Sequence, residues 1–269
     1  MTSLTLPPAP LVMGVLNLNA GSLQTNSTHS IADAALNACE QMLADGAALI
    51  DVSCEYARNE SKLSVQDEIN ILVPIVELVS ARISIPISVD TSNPDVMQAA
   101  VSAGAKMIND TRALTKLSAM STMAALKTHV CLMHMQNDPV NVQLRDADKD
   151  IVSIVYKYLE ERIAACVAAG IDAKKIIIDP GFGFGKTLPQ NLTLLRSLHM
   201  FKNLNCPVLV DISHKSMLGQ ILNVDVADRS YGSVAAEVVA ISRGADIIRS
   251  HDVRATVDAI KVLKAIADI

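Results

Sequence analysis

Polar side chains that could bind a flat heterocycle follow several short apolar runs of this sequence. Carboxylates suit the edge of an amino-pyrimidine, where two adjacent donors meet two acceptor oxygens. A lysine can donate to a carbonyl oxygen or a ring nitrogen of the same heterocycle. The residues that we predict to bind such an edge are Asp90, Asn109, Asp179 and Lys215.

A second set of residues at the ends of apolar runs is cationic or polar and suits a phosphate or diphosphate. A guanidinium fork matches phosphate oxygens in pairs. The chain carries a net charge of −5, but the field inside a cleft is set by the groups that line it. We therefore predict an anionic ligand, held by Asn17, Arg58, Arg249 and His251.

One segment resembles a nucleotide-binding loop without satisfying its pattern. Gly185-Lys186-Thr187 matches the end of G-x-x-x-x-G-K-[ST], but Pro180 stands where the first glycine is required. That glycine lets the backbone amides approach the phosphates. The sequence therefore argues against a nucleotide triphosphatase.

Eight apolar runs alternate with stretches of helical periodicity. Continuous apolar runs are typical of buried parallel strands, and eight strand–helix units predict an α/β fold with a single (β/α)8 (TIM) barrel. A doubly wound sheet would need a glycine-rich first turn, which residues 17–21 lack. The predicted strands are Leu11–Leu16, Ala47–Val52, Pro86–Val89, Lys106–Asn109, His129–Met133, Lys175–Ile178, Pro207–Val210 and Ala245–Ile248.

Helix boundaries are predicted from capping residues and periodicity. Ser30 is predicted to cap the first helix, and Asn93-Pro94 to begin the third. After the seventh strand we predict a short turn and then a helix over Gly232–Arg243. Because barrel active sites lie at the carboxyl ends of the strands, the polar residues that end the runs are expected to converge.

Composition excludes several classes of protein. Of 269 residues, 50% are hydrophobic, 19% are charged and 3% are aromatic, which excludes a disordered chain and disfavours a nucleic-acid partner. No apolar run reaches the roughly 18 residues of a membrane helix, so no membrane association is expected. Five scattered cysteines favour reduced thiols and a cytoplasmic location. We predict one domain over residues 1–269, with residues 1–10 as an N-terminal extension.

Six segments, in order along the chain, resemble the dihydropteroate synthase family. The run Asp-Pro-Gly-Phe-Gly-Phe-Gly-Lys-Thr is the most specific of them. The resemblance implies condensation of 6-hydroxymethyl-7,8-dihydropterin diphosphate with p-aminobenzoate, with release of diphosphate, in folate biosynthesis. The segments are Ile87–Thr91, Ile108–Asp110, Leu132–Gln136, Asp179–Phe184, Ser213–Ser216 and Arg249–Val253.

The resemblance also implies a role for each site residue. The pterin would contact Asp90, Asn109, Asp179 and Lys215, with Phe184 lining its slot. Of these residues, Asp90, Asp179 and Lys215 would be catalytic. The diphosphate would contact Asn17, Arg58, Arg249 and His251, with Mg²⁺ near Asn17. Ser213 and His214 would line the arylamine pocket, and the last helices would form a homodimer.

Aromatic residues are scarce, and their placement is informative. Two of the three phenylalanines, Phe182 and Phe184, lie in the loop after the sixth strand. This placement points to a flat ligand near the loop.

The departures from the family pattern fall mainly in two loops. In residues 17–27 only Asn17 and Ser22 agree with the usual pattern, and in the second loop Tyr56 and Ala57 replace Ser and Thr. His214 replaces Arg, and Asp211 stands where Gly is often found. In the family these two loops close over the second substrate.

Three interpretations remain open at the level of sequence. The first is an active dihydropteroate synthase with unusual loops. The second is a paralogue that binds the pterin diphosphate but uses another acceptor or catalyses poorly. The third is a pterin-binding protein without activity. A phosphate-binding barrel enzyme of an unrelated class is a more remote alternative.

Overall fold

The computed structural model describes residues 10–18, 28–54, 64–135 and 150–267. Within them, eight parallel strands pair in the order β6-β5-β4-β3-β2-β1-β8-β7. A bridge between Ile178 and Val208 joins β6 to the start of β7, so the sheet closes. The predicted barrel is therefore confirmed. Its strands are β1 (Leu11–Leu18), β2 (Leu49–Cys54), β3 (Ile87–Asp90), β4 (Met107–Asp110), β5 (His129–Met133), β6 (Ile176–Asp179), β7 (Leu209–Asp211) and β8 (Ile247–Ser250).

Helices follow the strands and cover the outside of the sheet. The described helices are α1 (Thr28–Ala44), α2 (Val65–Arg82), α3 (Pro94–Ser102), α4 (Ala119–Leu126), α5 (Ile151–Ala168), α6 (Leu188–Arg196), α7 (Ser216–Leu222), α8 (Ser230–Ser242) and α9 (Val253–Ala267). None of these described helices is both long and apolar enough to span a bilayer.

Local signals explain several of the helix starts. Ser64 caps α2 by accepting from the amide of Asp67, and Asp150 caps α5 by accepting from two amides. Pro94 begins α3 as predicted, although Asn93 makes no side-chain cap bond.

Two predictions about helices are wrong. Ser30 lies inside α1, which begins at Thr28, and the predicted turn after β7 contains the helix α7. At seven residues, α7 is too short to show a clear helical period, so the sequence pattern gave little sign of it.

The interior of the barrel has an apolar lower layer. Leu49, Met107, Ile177, Leu209 and Ile247 belong to one buried cluster that draws on strands all around the sheet. A larger apolar cluster lies between the strands and the helices. Because side chains alternate along a strand, the residue two positions after each member of the inner cluster faces inward as well.

Candidate active site

Five members of the inner apolar cluster are followed, two positions later, by polar residues. Leu49, Met107, Ile177, Leu209 and Ile247 are followed in this way by Asp51, Asn109, Asp179, Asp211 and Arg249. Met13 precedes Asn17 by four positions in β1, so Asn17 has the same inward phase. The alternation of the strands therefore builds a polar layer at their carboxyl ends, where barrel enzymes carry their sites.

A continuous polar network crosses this layer. Asn109 Nδ2 donates to Asp51 Oδ2 at 3.2 Å, and Arg249 Nε donates to the same oxygen at 2.8 Å. Arg249 Nη1 lies 3.3 Å from Asp211 Oδ2, which also lies 3.0 Å from Lys215 Nζ. Four strands and the loop after β7 thus share one set of charge-assisted contacts.

Arg249 keeps one nitrogen available inside this network. Its side chain is only 2% exposed, yet Nη2 has no hydrogen-bond partner among the described residues. Burial alone would lower its pKa, but the carboxylates of Asp211 and Asp51 raise it instead. The guanidinium is therefore a fixed cation with a donor free for an anionic ligand.

Lys215 and Phe184 form the wall of a slot beside Asp179. Lys215 Nζ lies 4.2 Å from the centroid of the Phe184 ring, a cation–π contact. A Cβ on Gly183 would come within 3.2 Å of Lys215 Cδ, so glycine permits the close approach of the loop. Phe182, in contrast, is fully buried in the outer apolar cluster, so of the two phenylalanines in this loop only Phe184 lines the slot.

Asp179 is a buried carboxylate whose pKa is raised. Burial raises its pKa to about 7, and the nearby charge of Asp211 adds to the rise, while a bond from the Gly181 amide at 2.7 Å opposes it. Such a carboxylate is only partly ionised at neutral pH, so a ligand that donates to it would favour the ionised form.

Asp90 completes the carboxylate side of the layer. It ends β3, is nearly buried, and pairs in register with Asn109 on β4 and Ser53 on β2. Its charge acts on Asp51 and Arg249. The structure therefore brings together all four residues predicted to bind the heterocycle.

Lys186 fixes the loops after β5 and β6. Its buried amine donates to the carbonyl of Gly181 at 2.6 Å and to that of His134 at 3.1 Å. Burial lowers the pKa of Lys186 to about 7. In the sequence this lysine stands out only as part of an incomplete P-loop pattern. Its role in joining two loops through carbonyls depends on a contact between distant segments.

His251 and Ser213 lie together at the edge of the layer. The backbone N–H of His251 donates to Ser213 Oγ at 3.2 Å, and His251 Nδ1 lies at the same distance from that oxygen. Burial lowers the pKa of His251 to about 4, with Arg249 and His214 opposing its charge. His251 is therefore neutral at pH 7 and can offer a neutral donor to an anion.

His214 is engaged away from the layer. Its Nε2 lies 2.7 Å from Asp252 Oδ2, and its Nδ1 lies 3.0 Å from the carbonyl of Val226. Both partners are acceptor oxygens. The ring meets His251 edge-on, with centroids 5.4 Å apart. His214 was predicted to line the arylamine pocket, and both of its ring nitrogens are thus occupied.

The remaining predictions concern Asn17, Arg58 and the metal. Asn17 is exposed at the mouth, and its Oδ1 accepts from Ser53 Oγ at 2.5 Å. Arg58 and nearly all of the two divergent loops lie outside the described residues. Within the described part of the chain, no group of three or more His, Cys, Asp or Glu side chains could hold a metal.

Two site residues were missed at the level of sequence. Asp51 lies in the second predicted strand and Asp211 follows the seventh, but neither residue is given a role by the sequence pattern. The alternation of side chains along each strand could have identified them, because each follows an inward-facing apolar residue by two positions. Their pairing with Arg249 joins residues up to 198 positions apart, which no local pattern shows.

A closed parallel barrel whose strand ends carry this polar layer is the form of a pterin-binding enzyme. The model of the family described as "Pterin binding enzyme" matches residues 13–251, and the chain belongs to that family. It is homologous to dihydropteroate synthases along almost its whole length. The Escherichia coli K12 dihydropteroate synthase is 42% identical over 257 residues, which are 95% of this chain and 91% of that protein.

Solved structures show the same similarity. A Xanthomonas albilineans dihydropteroate synthase in complex with 7,8-dihydropteroate is 39% identical, with a TM-score of 0.89 over 99% of this chain and 96% of that one. The same enzyme with 4-aminobenzoic acid has a TM-score of 0.90 at 39% identity, over 97% and 94% of the two chains.

Proposed function

We propose that the protein joins 6-hydroxymethyl-7,8-dihydropterin diphosphate to p-aminobenzoate and releases diphosphate, as a dihydropteroate synthase. The observation that carries this proposal is the polar layer inside the barrel. On one side it presents buried carboxylates and an amide beside the Lys215–Phe184 wall, and on the other a buried guanidinium with a free nitrogen. The homologous enzymes bound to 7,8-dihydropteroate and 4-aminobenzoic acid support the choice of substrates.

The carboxylate side of the layer is suited to the pterin. The amino-pyrimidine edge would donate to Asp179 and contact Asn109, while Lys215 would donate to the ring. As the bond from the methylene carbon to the diphosphate oxygen breaks, positive charge develops on the pterin. Fixed carboxylates, including Asp90, stabilise that charge without reorganising.

The cationic side is suited to the leaving group. Arg249 would use Nη2 on the diphosphate while Asp51 and Asp211 hold its other nitrogens in place. His251 would add a neutral donor, and Arg58 is proposed to contact the same group. Holding the arylamine in line with the methylene carbon supplies the rest of the rate enhancement.

We further propose that Mg²⁺ accompanies the diphosphate near Asn17. Mg²⁺ retains several waters and binds substrate phosphates with only one or two protein oxygens. Asn17 is exposed at the mouth of the barrel, and its Oδ1 keeps a second lone pair beside the bond from Ser53, which fits such a ligand. When bound, the ion would neutralise charge on the diphosphate.

A homodimer and a cytoplasmic location are also proposed. The exposed apolar side chains of Val262 and Ile266 on α9 are compatible with an interface between copies of the chain. All five cysteines are free thiols, as expected in a reducing compartment.

The contacts of His214 bear on the identity of the acceptor. The occupied ring nitrogens of His214 leave it poorly placed to bind the carboxylate of p-aminobenzoate in this arrangement. This observation favours, as a second candidate, the same transfer from pterin diphosphate to a different amine.

The test is a transfer assay with pterin diphosphate, Mg²⁺ and p-aminobenzoate, extended to a panel of other amines. We expect dihydropteroate and diphosphate to form, and Lys215→Ala to abolish both products. The exposed Lys157→Ala is the matched control and should retain activity. Bound pterin diphosphate without dihydropteroate at high enzyme concentration would exclude the synthase. A product with another amine would then support the second candidate.

A further inference from the structure

Asp211 connects the two halves of the proposed site. It ends β7, faces into the barrel and is nearly buried. A single carboxylate oxygen, Oδ2, lies 3.0 Å from Lys215 Nζ and 3.3 Å from Arg249 Nη1. Lys215 lies in the wall of the heterocycle slot and Arg249 lies on the anion side, so the Asp211 carboxylate contacts both sides of the site.

The contacts around Asp211 hold both cations, Lys215 and Arg249, in fixed positions. Arg249 is held from its opposite side by Asp51, and only Nη2 is without a partner among the described residues. Lys215 is held between the Asp211 oxygen and the face of Phe184. Without Asp211, both cations would lose the contact that they share.

We propose that Asp211 is a positioning residue that sets Lys215 against the pterin ring and Arg249 against the diphosphate at the same time. The inference deepens the proposed function and rests on it. The family resemblance leads one to expect glycine at this position, which could make neither contact. In this chain, a carboxylate that contacts both cations therefore stands where the family pattern has no side chain.

The bridge has a second consequence that a purely structural role would not produce. Asp211 is a like charge close to Asp179, where it adds to the effect of burial on the pKa, while Lys215 and Lys186 act in the opposite direction. If ionised Asp179 accepts from the pterin edge, pterin binding strengthens as pH rises through about 7. Removing the charge of Asp211 should move that midpoint to lower pH.

The experiment compares the wild type with Asp211→Asn, which keeps the shape of the side chain and removes its charge. We expect kcat for dihydropteroate formation to fall at least about tenfold, because a misplacement of reacting groups by about 1 Å can cost on the order of a hundredfold in rate. We also expect the midpoint for binding of 6-hydroxymethyl-7,8-dihydropterin, measured by calorimetry between pH 5.5 and 8.5, to shift to lower pH.

The exposed Asp258→Asn removes the same charge from the surface of α9 and should change neither quantity. Thermal unfolding checks that Asp211→Asn is folded, and Asp211→Ser takes its place if it is not. A kcat within about twofold of the wild type, or an unmoved midpoint, would overturn the inference. If the wild type binds the dihydropterin but makes no dihydropteroate, the synthase proposal fails alone, and the midpoint still decides the role of Asp211. Absence of dihydropterin binding by the wild type would overturn both.

Discussion

Asp179 shows how the position of one residue in the barrel sets its chemistry. The strand alternation turns it inward, burial raises its pKa to about 7, and the Gly181 amide holds one of its oxygens. Ionised, it is an acceptor for the donors of an amino-pyrimidine; protonated, it becomes a donor itself. Its charge state therefore determines whether the pterin edge is recognised.

A prediction follows for Asp179→Asn. The amide replaces one acceptor with a donor, and loss of a hydrogen bond to a charged group costs about 1.5–3 kcal/mol, so dihydropterin affinity at pH 8 should fall at least about tenfold. The wild type should bind more weakly at pH 6 than at pH 8, and the variant should show a smaller pH dependence. Calorimetry at both pH values measures this. The exposed Asp95→Asn should behave as the wild type, and unchanged binding by Asp179→Asn would remove the pterin assignment.

At the scale of elements, the loop from β6 to α6 shapes the slot. Gly181, Gly183 and Gly185 all have positive φ, a region that favours glycine. The loop ends at a capping box in which Thr187 and Gln190 exchange hydrogen bonds. The loop can therefore fold tightly enough for Lys186 to reach its carbonyls and for Phe184 to meet Lys215.

The prediction at this scale compares two glycines with similar backbones. A Cβ on Gly181 (φ 74°) would lie 1.9 Å from the carbonyl oxygen of His134, whereas one on Gly170 (φ 94°) would meet nothing within 4 Å. Gly170→Ala should cost only the backbone strain, about 1–2 kcal/mol. Gly181→Ala should cost clearly more, and should also weaken dihydropterin binding. Denaturant unfolding measures the costs, and equal values for the two variants would contradict the clash.

At the scale of the whole molecule, a second buried polar cluster joins α8, β8 and α9. Thr256 donates to Glu237 Oε2 at 2.7 Å and lies 2.9 Å from Ser250 Oγ. Glu237 is almost completely buried, and its Oε1 has no partner among the described residues. Burial raises its pKa from 4.5 to about 7. The carboxyl is therefore more stable in its neutral form where these elements pack.

The raised pKa of Glu237 predicts a pH dependence of stability. Its stabilising contribution is fully present below pH 4.5 and is lost as pH rises through about 7, a change on the order of 3 kcal/mol. Glu237→Gln cannot ionise, so its free energy of unfolding should rise relative to the wild type between pH 5 and pH 8. Urea unfolding at both pH values measures the difference. The exposed Glu161→Gln should follow the wild type, and parallel curves for Glu237→Gln would refute the assignment.

Much of the fold was predictable because the relevant signals are local. Eight apolar runs gave the eight strands, with shifts of one or two residues at most ends, since a buried parallel strand is a continuous apolar segment. The helix α7 was not predictable, because its seven residues carry too little periodic signal. Asp90, Asn109, Asp179 and Lys215 were identified from their types and from the position of each at or just after a strand.

By itself, the sequence determined the fold class, the inward phase of each strand and the residue types that end the strands, since these depend on near neighbours along the chain. Only the tertiary structure decided which charges meet. Closing the barrel brings Asp51 to Arg249 and Asp211 to both Arg249 and Lys215. It also turns Phe182 into the core and His214 towards Asp252. Pairing of buried charges depends on distances between strands that are far apart in sequence, and those distances are fixed only when the sheet closes.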